Sequence, residues 1–353
     1  MLFDPLTLRD VTFGNRAWIS PMCQYSAVDG VPGDWHFVHL GSRAVGGAGL
    51  VMAEASAVDA GGRISPQDTG LWNDTQRHAF ARIVDFIHGQ NTVAGIQLAH
   101  AGRKASTYRP WSPRRGTVPP AEGGWSTIAP TGDPFPGYAA PQAMTAGDIS
   151  QVRRAFAAAA RRADAAGFDV VEIHAAHGYL LHEFLSPLSN SRTDAYGGGF
   201  EGRSRLLREV VDDIRQVWPG SKPLFVRFSA TDWVEGGWTV EETGDLAGKL
   251  GAAGVDLVDI SSGGNAASAQ IPVGPGYQVP LARRVRELSG LPVAAVGLIT
   301  EAAQAEGILT SVSADAVMLA RAALRDPYWP RRAASELGIR LDWPPPYERG
   351  AWV

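Results

Sequence analysis

The segment EIHAAHGYLLHEF, residues 172–184, places two imidazoles and a phenol close together: His174 and His177 are three residues apart, and Tyr179 follows. The candidates are a metal site, core packing, an acid–base pair or a clamp that holds a ligand. A metal needs a third protein ligand, and the spacing differs from the helical HExxH motif. Three polar rings are also hard to satisfy inside a core. The types and spacing favour two N–H donors aimed at a carbonyl or nitro oxygen, with Tyr179 as a neutral proton donor.

Arg227 lies inside the apolar run LFVRFSA, where a charged side chain is unusual because charges are rarely buried without a partner. One interpretation is an internal ion pair, with Glu54 or Glu172 as the partner. The other is a fixed cation that faces an anionic ligand. Both interpretations remain open at the level of this residue.

Short apolar runs alternate with longer segments of helical spacing along the chain. We predict strands at 17–22, 50–56, 92–99, 168–174, 223–230, 255–262, 292–299 and 316–321. We predict helices at 36–46, 74–90, 148–166, 203–218, 240–253, 279–289, 301–309 and 326–337. Eight such units predict an α/β fold, the (β/α)8 TIM barrel. The alternative is a doubly wound sheet, but its first strand would lead into a glycine-rich turn, whereas SPMCQYS follows here.

A barrel of this kind carries its chemistry at the carboxyl ends of the strands. The polar or special residues that we expect there are Cys23, Tyr25, Glu54, Ala55, Gln97, His100, His174, His177, Tyr179, Arg227, Ser261, Ser262, Gly297 and Arg321. Gly297 and the pair Ala320–Arg321 follow strands seven and eight, where barrel enzymes commonly bind phosphate. Backbone N–H groups and one arginine can hold a phosphate at such a position.

Two segments depart from the alternation. Residues 101–147 are rich in Pro, Gly and Trp and have no clear periodicity, and a loop of this length is usually functional or disordered. Its tryptophans favour an ordered excursion over the active-site face after strand three. The tail, 340–353, is either frayed or in contact with a neighbouring subunit. We expect residues 1–353 to form a single domain.

Composition excludes several classes of protein. The net charge is −4 with no block of like charge, so we expect no nucleic-acid partner. No apolar run approaches the length of a membrane span, and MLFDPLTLRD does not resemble a secretory signal, so we expect a cytoplasmic protein without a membrane partner. With the single cysteine Cys23, neither an intramolecular disulfide nor a cysteine-ligated iron–sulfur cluster can form. We expect no metal.

Several stretches together resemble the Old Yellow Enzyme family of FMN-dependent ene-reductases, in particular the class called thermophilic-like. They are SPMCQYS (20–26), EASAV (54–58), GIQLAHAGRKA (95–105), GFDVVEIHAAHGYLLHEFLSPLSNSRTDAYGG (167–198), LFVRFSA (224–230), AVGLI (295–299), ARAALRDPYW (320–329) and PYERG (346–350). The resemblance covers nearly the whole chain, and the block around HAAHGYLLHEFLSPLSN is the most specific part.

The resemblance implies roles for individual residues. Those implied to bind FMN are Ser20, Pro21, Met22, Cys23, Ala55, Gln97, Arg227, Gly297, Ala320 and Arg321. Those implied to contact substrate are Tyr25, His174, His177 and Arg349, the last from a neighbouring subunit. Tyr179 is implied to be catalytic with the two histidines. The alternative for Cys23 is a small apolar filler. Family members often have glycine where this chain has Ala320.

The resemblance also implies a reaction. NADPH or NADH reduces FMN, hydride then passes from flavin N5 to the β-carbon of an activated alkene, and Tyr179 protonates the α-carbon. Small α,β-unsaturated carbonyls and nitroalkenes are the implied substrates, nitro compounds are possible ones, and a homodimer or homotetramer is the implied assembly. Two alternatives remain: a flavin-binding redox sensor with little turnover, and a non-redox barrel lyase that acts on a phosphorylated substrate. The lyase would want a Schiff-base lysine, for which Lys104 is the only candidate near a strand end.

Overall fold

The chain begins with a short antiparallel hairpin, β1 (Leu6–Leu8) and β2 (Val11–Phe13). The structure, a computed structural model, describes residues 1–352. The sequence pattern does not predict this hairpin, because strands of three residues are too short for alternation to be recognised. Phe13 packs against Trp18 with ring centroids 4.6 Å apart, and both lie in a buried apolar cluster inside the barrel. The hairpin therefore covers the amino-terminal end of the barrel.

Eight parallel strands close into this barrel, and each pairs with the next barrel strand along the chain. They are β3 (Ala17–Ile19), β4 (Leu50–Ala57), β5 (Val93–Ala99), β8 (Val170–Ala175), β9 (Leu224–Ser229), β10 (Leu257–Ser261), β11 (Val293–Ala295) and β12 (Ala316–Leu319). Between them, β6 (Ile128–Ala129) and β7 (Gln142–Ala143) form a separate small sheet. The final strand, β12, pairs with β3 and closes the ring. The predicted (β/α)8 barrel is confirmed, with all eight predicted strands in place.

Helices cover the outside of the barrel. They are α1 (Asp34–Val45), α2 (Asp74–His88), α3 (Ala146–Ala165), α4 (Leu180–Leu185), α5 (Phe200–Arg215), α6 (Val240–Ala252), α7 (Val279–Ser289), α8 (Ala302–Thr310), α9 (Arg321–Arg325) and α10 (Trp329–Glu336). Asn73, Thr145 and Thr239 begin three of them by accepting a hydrogen bond from a first-turn N–H. The short helices α4 and α9 are not predicted, because one or two turns carry little periodicity. None of the helices within residues 1–352 is long and apolar enough to cross a membrane.

The interior of the barrel changes from apolar to polar along the strands. Its amino-terminal part is filled by an apolar cluster that includes Trp18, Leu50, Val170, Phe225 and Leu257. Four buried polar side chains follow further along the same side of their strands: Gln97, Glu172, Arg227 and Asp259. Because alternate residues of a strand face the same side, these four also point into the barrel. The polar groups lie toward the carboxyl ends, where the site is expected.

The excursion at 101–147 is ordered by contacts with other parts of the same face. The Trp111 ring meets the Tyr25 ring edge to face, with centroids 5.8 Å apart. Trp125 Nε1 donates to the carbonyl oxygen of Gly61 at 2.8 Å, and the Arg63 guanidinium lies 4.7 Å from the Trp125 ring. These contacts confirm an ordered excursion after the third barrel strand.

Candidate active site

The end of β8 and the turn after it carry the two histidines. His174 is buried in the strand, whereas His177 lies in the turn with a φ of 60°, in the left-handed region. The backbone N–H of His177 donates to Ser229 Oγ at 2.9 Å, which holds the turn against β9. The two imidazole rings meet edge to face with centroids 5.1 Å apart. The structure therefore brings the predicted pair together.

Both imidazoles are neutral. Burial lowers the pKa of His174 and of His177 well below 6.5, and the positive charge of Arg227 lowers both pKa values further. The Ala176 N–H donates to His174 Nδ1 at 3.2 Å, so the proton of His174 is on Nε2. That Nε2 lies 3.4 Å from His177 Nδ1. Nε2 of His174 and Nδ1 of His177 thus face the same small region.

Ser261 contacts the outer nitrogen of the His177 ring. Its Oγ lies 2.7 Å from His177 Nε2, and a hydroxyl can donate or accept. When Ser261 donates, Nε2 is the acceptor and the proton of His177 is on Nδ1. Ser261 Oγ is also 3.3 Å from Gln278 Oε1, but that oxygen accepts from Ser262 Oγ at the shorter distance of 2.7 Å and so has a partner when Ser261 turns its proton to His177. In this arrangement both imidazoles turn an N–H toward one point, which suits one ligand oxygen.

Tyr179 lies beside this pair. Its ring is edge to face with that of His174, at a centroid distance of 5.0 Å. Cys23, Tyr25, Trp125 and Tyr179 pack together against an apolar cluster of Ile64, Ala101 and Ala105. Burial raises the pKa of the Tyr179 hydroxyl well above 10. The phenol therefore keeps its proton at neutral pH and can donate it.

Cys23 and Tyr25 are neutral as well. Burial, followed by the charges of Asp68 and Glu54, raises the pKa of the Cys23 thiol well above 9. Burial also raises the pKa of Tyr25, and Tyr25 has a φ of 48°. A neutral thiol is a weak nucleophile, so Cys23 contributes a contact surface here rather than a reactive thiolate.

The residues that follow β3 form one wall of the mouth. Ser20 is buried and its Oγ accepts a hydrogen bond from Arg227 Nη1 at 3.2 Å. Pro21 and Met22 continue this segment, and Met22 packs against the main apolar core. The Gln24 N–H donates to Glu54 Oε1 at 3.1 Å, which ties the segment to β4 beside the buried Ala55.

The partner of Arg227 differs from both predicted candidates. Arg227 Nε lies 3.0 Å from Asp259 Oδ2, on the neighbouring strand β10. Glu54 and Glu172 were the expected partners, and that expectation is wrong. Asp259 is the residue of β10 that is paired with Arg227 of β9, so even its short side chain reaches the guanidinium. Arg227 also lines a cavity at the carboxyl ends of the strands, so one side chain both forms the ion pair and borders that cavity.

Gln97 and Glu172 are directly paired across β5 and β8. Gln97 Nε2 donates to Glu172 Oε1 at 2.8 Å, which leaves the amide oxygen of Gln97 available to another donor. An amide with a free acceptor oxygen at this position can bind an N–H of a planar ring. A contact of Gln97 with the pyrimidine edge of a flavin stays a prediction.

A cavity of about 120 Å³ opens beside Arg227 at the ends of β11 and β12. Its lining includes Ser261, Gly297, Thr300, Ala320 and Arg321. The lining residues include two arginines, Arg227 and Arg321, and no carboxylate, which suits a phosphate group. Gly297 has a φ of 127°, and a Cβ there would lie 3.0 Å from Gln278 Nε2. The cavity wall therefore requires glycine, and these residues fit the phosphate end of FMN.

Lys104 is close to the histidines but its amine is engaged. Its Nζ donates to the carbonyl oxygen of His177 at 2.9 Å and to that of Gly264. Burial lowers the pKa of Lys104 to about 8. Both hydrogen bonds support the turn that carries His177, so the geometry favours a structural amine over a Schiff-base nucleophile.

The tail that contains Arg349 lines a cavity that shares no residue with the cavity beside Arg227. Arg349 lines a cavity of about 750 Å³ with Arg331, Asp342, Trp343 and Trp352. Trp343 stacks on Tyr328 at a centroid distance of 6.4 Å and meets Trp352 at 5.3 Å. Of the predicted site residues, Arg349 is the one that this chain does not bring to its own site.

Sequence reasoning did not assign roles to Ser229, Ser261 and Gln278, although they support the histidines and the cavity. The two serines are the last residues of β9 and β10, and that position was their only signal. Gln278 comes from the loop before α7, where no pattern marks it. Within residues 1–352, no group of three His, Cys, Asp or Glu side chains is arranged to hold a metal ion.

Comparisons with known proteins agree with this geometry. A family model described as the NADH:flavin oxidoreductase / NADH oxidase family matches residues 1–339. The chain is 47% identical over 353 residues to an NADPH dehydrogenase of Geobacillus thermodenitrificans, covering 99% of this chain and 98% of the relative. It is 47% identical over 354 residues to an NADPH dehydrogenase of Halalkalibacterium halodurans, covering 100% and 99% of the two chains.

Solved structures are similar over the same extent. Morphinone reductase in complex with tetrahydroNAD superposes with a TM-score of 0.80 at 26% identity, covering 98% of this chain and 93% of the other. An Old Yellow Enzyme homologue from Zymomonas mobilis superposes with a TM-score of 0.80 at 25% identity, covering 100% of this chain and 99% of the other.

Proposed function

The chain belongs to the NADH:flavin oxidoreductase / NADH oxidase family, also called the Old Yellow Enzyme family, and is therefore an FMN-dependent oxidoreductase that uses NAD(P)H. From this premise we propose that it is an ene-reductase. Its proposed substrates are small alkenes activated by a carbonyl or nitro group, and nitro compounds are further candidates. NADPH is the proposed reductant, because the relatives at 47% identity are named NADPH dehydrogenases.

One observation carries the proposal. His174 Nε2 and His177 Nδ1, which belong to two neutral imidazoles, lie 3.4 Å apart and face the same small region. The neutral phenol of Tyr179 lies beside them. Paired N–H donors stabilise negative charge that develops on a carbonyl or nitro oxygen. An acid next to them can then complete the reaction by protonating carbon.

The proposed mechanism assigns a task to each residue. His174 and His177 bind the activating oxygen and draw electron density away from the double bond. Tyr179 holds a proton at its Oη and delivers it to the α-carbon. Tyr25, Trp125 and Ile64 supply apolar surface that limits water around the ligand. FMN, when bound, supplies the hydride chemistry that links NAD(P)H to the alkene.

The residues proposed to hold FMN lie along the mouth. Ser20, Pro21, Met22, Cys23 and Ala55 would contact the ring from the side of β3 and β4. Gln97 would accept a hydrogen bond from the pyrimidine edge, and Arg227 would place its positive charge near it. Around the phosphate, the proposed residues are Gly297, Ala320 and Arg321.

We also propose that the active form is a homodimer or homotetramer in which Arg349 contacts substrate in a neighbouring subunit. The support is its location: Arg349 lies in a tail that carries the half-exposed aromatic residues Tyr347 and Trp352. Aromatic and arginine side chains are enriched in subunit contacts relative to the rest of the surface.

The test is Tyr179→Phe, followed by stopped-flow absorbance of the bound flavin. Reduction by NADPH should keep its rate, whereas reoxidation by cyclohexenone should slow by about 100-fold or more, because general acid catalysis contributes at least that much. Tyr196→Phe is the matched control, since Tyr196 donates to Glu209 on α5, outside the mouth, and both rates should be unchanged.

Two outcomes would count against the proposal. Equal reoxidation rates in Tyr179→Phe and the parent protein would place the proton donor elsewhere. A parent protein that NADPH reduces but no activated alkene reoxidises would be a redox sensor rather than an ene-reductase.

A further inference from the structure

Four buried side chains form a polar layer inside the barrel, between the apolar cluster and the mouth. We name Gln97, Glu172, Arg227 and Asp259 the polar layer. Their exposed fractions are 2%, 0%, 6% and 0%. They come from four consecutive barrel strands, β5, β8, β9 and β10, and the apolar cluster closes the barrel beneath them.

Within residues 1–352, four polar atoms of the layer have no hydrogen-bond partner: Arg227 Nε, Glu172 Oε2 and both carboxyl oxygens of Asp259. Glu172 Oε1 accepts from Gln97 Nε2, but Glu172 Oε2 has no hydrogen-bond partner within residues 1–352. Asp259 Oδ2 is 3.0 Å from Arg227 Nε without the alignment of a hydrogen bond, and Asp259 Oδ1 has no partner in the same residues. Buried ionised oxygens without donors are costly, whereas a protonated carboxyl carries no charge to solvate.

The charges of the layer point the same way. It holds two carboxyl groups and one guanidinium, so full ionisation would leave one uncompensated negative charge in a buried place. Other titratable groups lie at the strand ends. His174, on the same strand as Glu172, is neutral. Strand β4 carries the carboxyl of Glu54, and β12 leads to Arg321, which lines the cavity. Asp259 is the carboxylate that pairs with Arg227, and Glu172 has no cationic partner within 4.0 Å in residues 1–352.

The pKa directions agree with this count. Burial raises the pKa of Glu172 to about 8, the charge of Asp259 raises it further, and Arg227 and Gln97 oppose the rise. Burial also raises the pKa of Asp259, against the effect of Arg227. The carboxyl next to Arg227 is the better place for the negative charge, so Glu172 is the better place for a proton.

We propose that Glu172 and Asp259 share one proton, which Glu172 holds at neutral pH, and that Glu172 is thereby a positioning residue for the flavin through Gln97. The inference rests on the proposed placement of FMN over Gln97 and Arg227. Glu172 orients the Gln97 amide so that its oxygen faces the ligand. Its protonation keeps the floor of the site neutral, with Arg227 and Asp259 as the only charged pair.

This arrangement makes FMN binding sensitive to pH. When Glu172 loses its proton, a negative charge appears beneath an anionic cofactor whose reduced form is also anionic, so both affinity and reduction potential fall. The stability of the folded chain should also fall as pH rises. The folded chain binds this proton more tightly than the unfolded chain, so the contribution of Glu172 to stability declines as pH rises from about 4.5 through about 8.

The test is Glu172→Gln, which replaces a protonated carboxyl by a neutral group of the same shape. FMN dissociation constants, from quenching of flavin fluorescence, and flavin midpoint potentials are measured between about pH 6 and about pH 9.5. At neutral pH the variant should bind FMN within about twofold of the parent. Above about pH 8 the parent should lose affinity and potential, whereas Glu172→Gln should not.

Glu183→Gln is the matched control. Glu183 is buried on α4, and burial raises its pKa to about 8 as well, but its Oε1 accepts from the Arg103 N–H outside the polar layer. This variant should keep the pH dependence of the parent. If Glu183→Gln abolishes the dependence and Glu172→Gln does not, the inference is overturned.

Infrared spectroscopy gives a readout independent of activity. The difference spectrum of parent minus Glu172→Gln at neutral pH should contain the C=O stretching band of a protonated carboxyl. In Asp259→Asn the same band should disappear, because Glu172 is then the only carboxyl group of the polar layer that can balance the charge of Arg227, and it ionises. Absence of the band in the parent, its persistence in Asp259→Asn, or a tenfold loss of FMN affinity in Glu172→Gln at neutral pH each overturns the proposal.

The two proposals fail in different ways. A parent protein that does not bind FMN removes the proposed function itself. A parent protein that binds FMN and reduces activated alkenes, but shows the same pH profile as Glu172→Gln, removes only the shared proton.

Discussion

Ser229 and Ser261 lie on neighbouring strands, and both contact His177. Ser229 accepts the backbone N–H of His177, and Ser261 contacts the ring at Nε2. One serine therefore holds the backbone of His177 in place, and the other contacts the ring nitrogen that takes part in the choice of tautomer. At the scale of residues, the arrangement of the histidine pair depends on two hydroxyl groups that carry no charge.

We expect Ser261→Ala to weaken binding of 4-chlorophenol about five- to tenfold, or ~1–1.4 kcal/mol, because His177 then loses the hydrogen bond that places its proton on Nδ1. Isothermal titration calorimetry on protein with a measured FMN content is the assay. Ser262→Ala is the control, since Ser262 contacts Gln278 and not His177. Equal affinities in the two variants would show that Ser261 does not set the tautomer.

The loop after β11 shows how an element shapes the site through its backbone. Gly297 adopts a φ of 127°, which side-chain-bearing residues rarely adopt, and its carbonyl oxygen accepts the N–H of Gly276. The loop thus brings the backbone close to Tyr277 and Gln278 while the cavity beside Arg321 stays open. The end of β11 and Gly297 together form this wall of the cavity.

Gly297→Ala should therefore weaken FMN binding by about tenfold or more, because strain of about 1–3 kcal/mol and a crowded Cβ act at the phosphate cavity. Equilibrium dialysis of FMN and a thermal melt of the same sample measure both effects. Gly307→Ala, in α8, is the control: its Cβ meets nothing within 4 Å, and helix propensity predicts a gain of up to about 1 kcal/mol in stability. Unchanged FMN affinity in Gly297→Ala would contradict a role for this wall.

At the scale of the whole molecule, one barrel carries nearly every proposed site residue, and the tail carries the exception. Arg349 and Trp352 line one cavity together with Arg331 and Trp343 of the same chain, and the Trp352 ring meets the Trp343 ring. A tail in this position reaches the chemistry only if the molecule associates with a second copy, as closed symmetric oligomers allow.

Mixing two defective variants tests this arrangement. Arg349→Ala and Tyr179→Phe should each be impaired alone, but their co-expressed mixture should recover activity toward cyclohexenone, because about a quarter of the sites then combine an intact Tyr179 with an arginine from the neighbour. In the control mixture, Tyr179→Phe is co-expressed with Arg340→Ala instead of Arg349→Ala. Arg340 is a suitable control residue because it is exposed and lines the same tail cavity. Activity of the mixture no higher than the mean of its components would place Arg349 outside the neighbouring site.

The sequence by itself determined the barrel and most of the residues at its mouth. Continuous apolar runs such as VAAVGLI require strands buried on both faces, and eight of them with helices between leave few folds open. His174, His177, Tyr179 and Gln97 follow from their place at strand ends, because parallel strands bring those ends to one side of the molecule.

Only the tertiary structure decided which partner each polar group has. Arg227 pairs with Asp259 rather than Glu54 or Glu172, and Ser261 reaches His177 across 84 residues of sequence. Such pairings depend on strand register and barrel closure, which bring together residues that no local pattern connects. Periodicity reports which way a side chain faces, whereas the identity of its neighbour, and with it the proton each group holds, appears only when the ring of strands is closed.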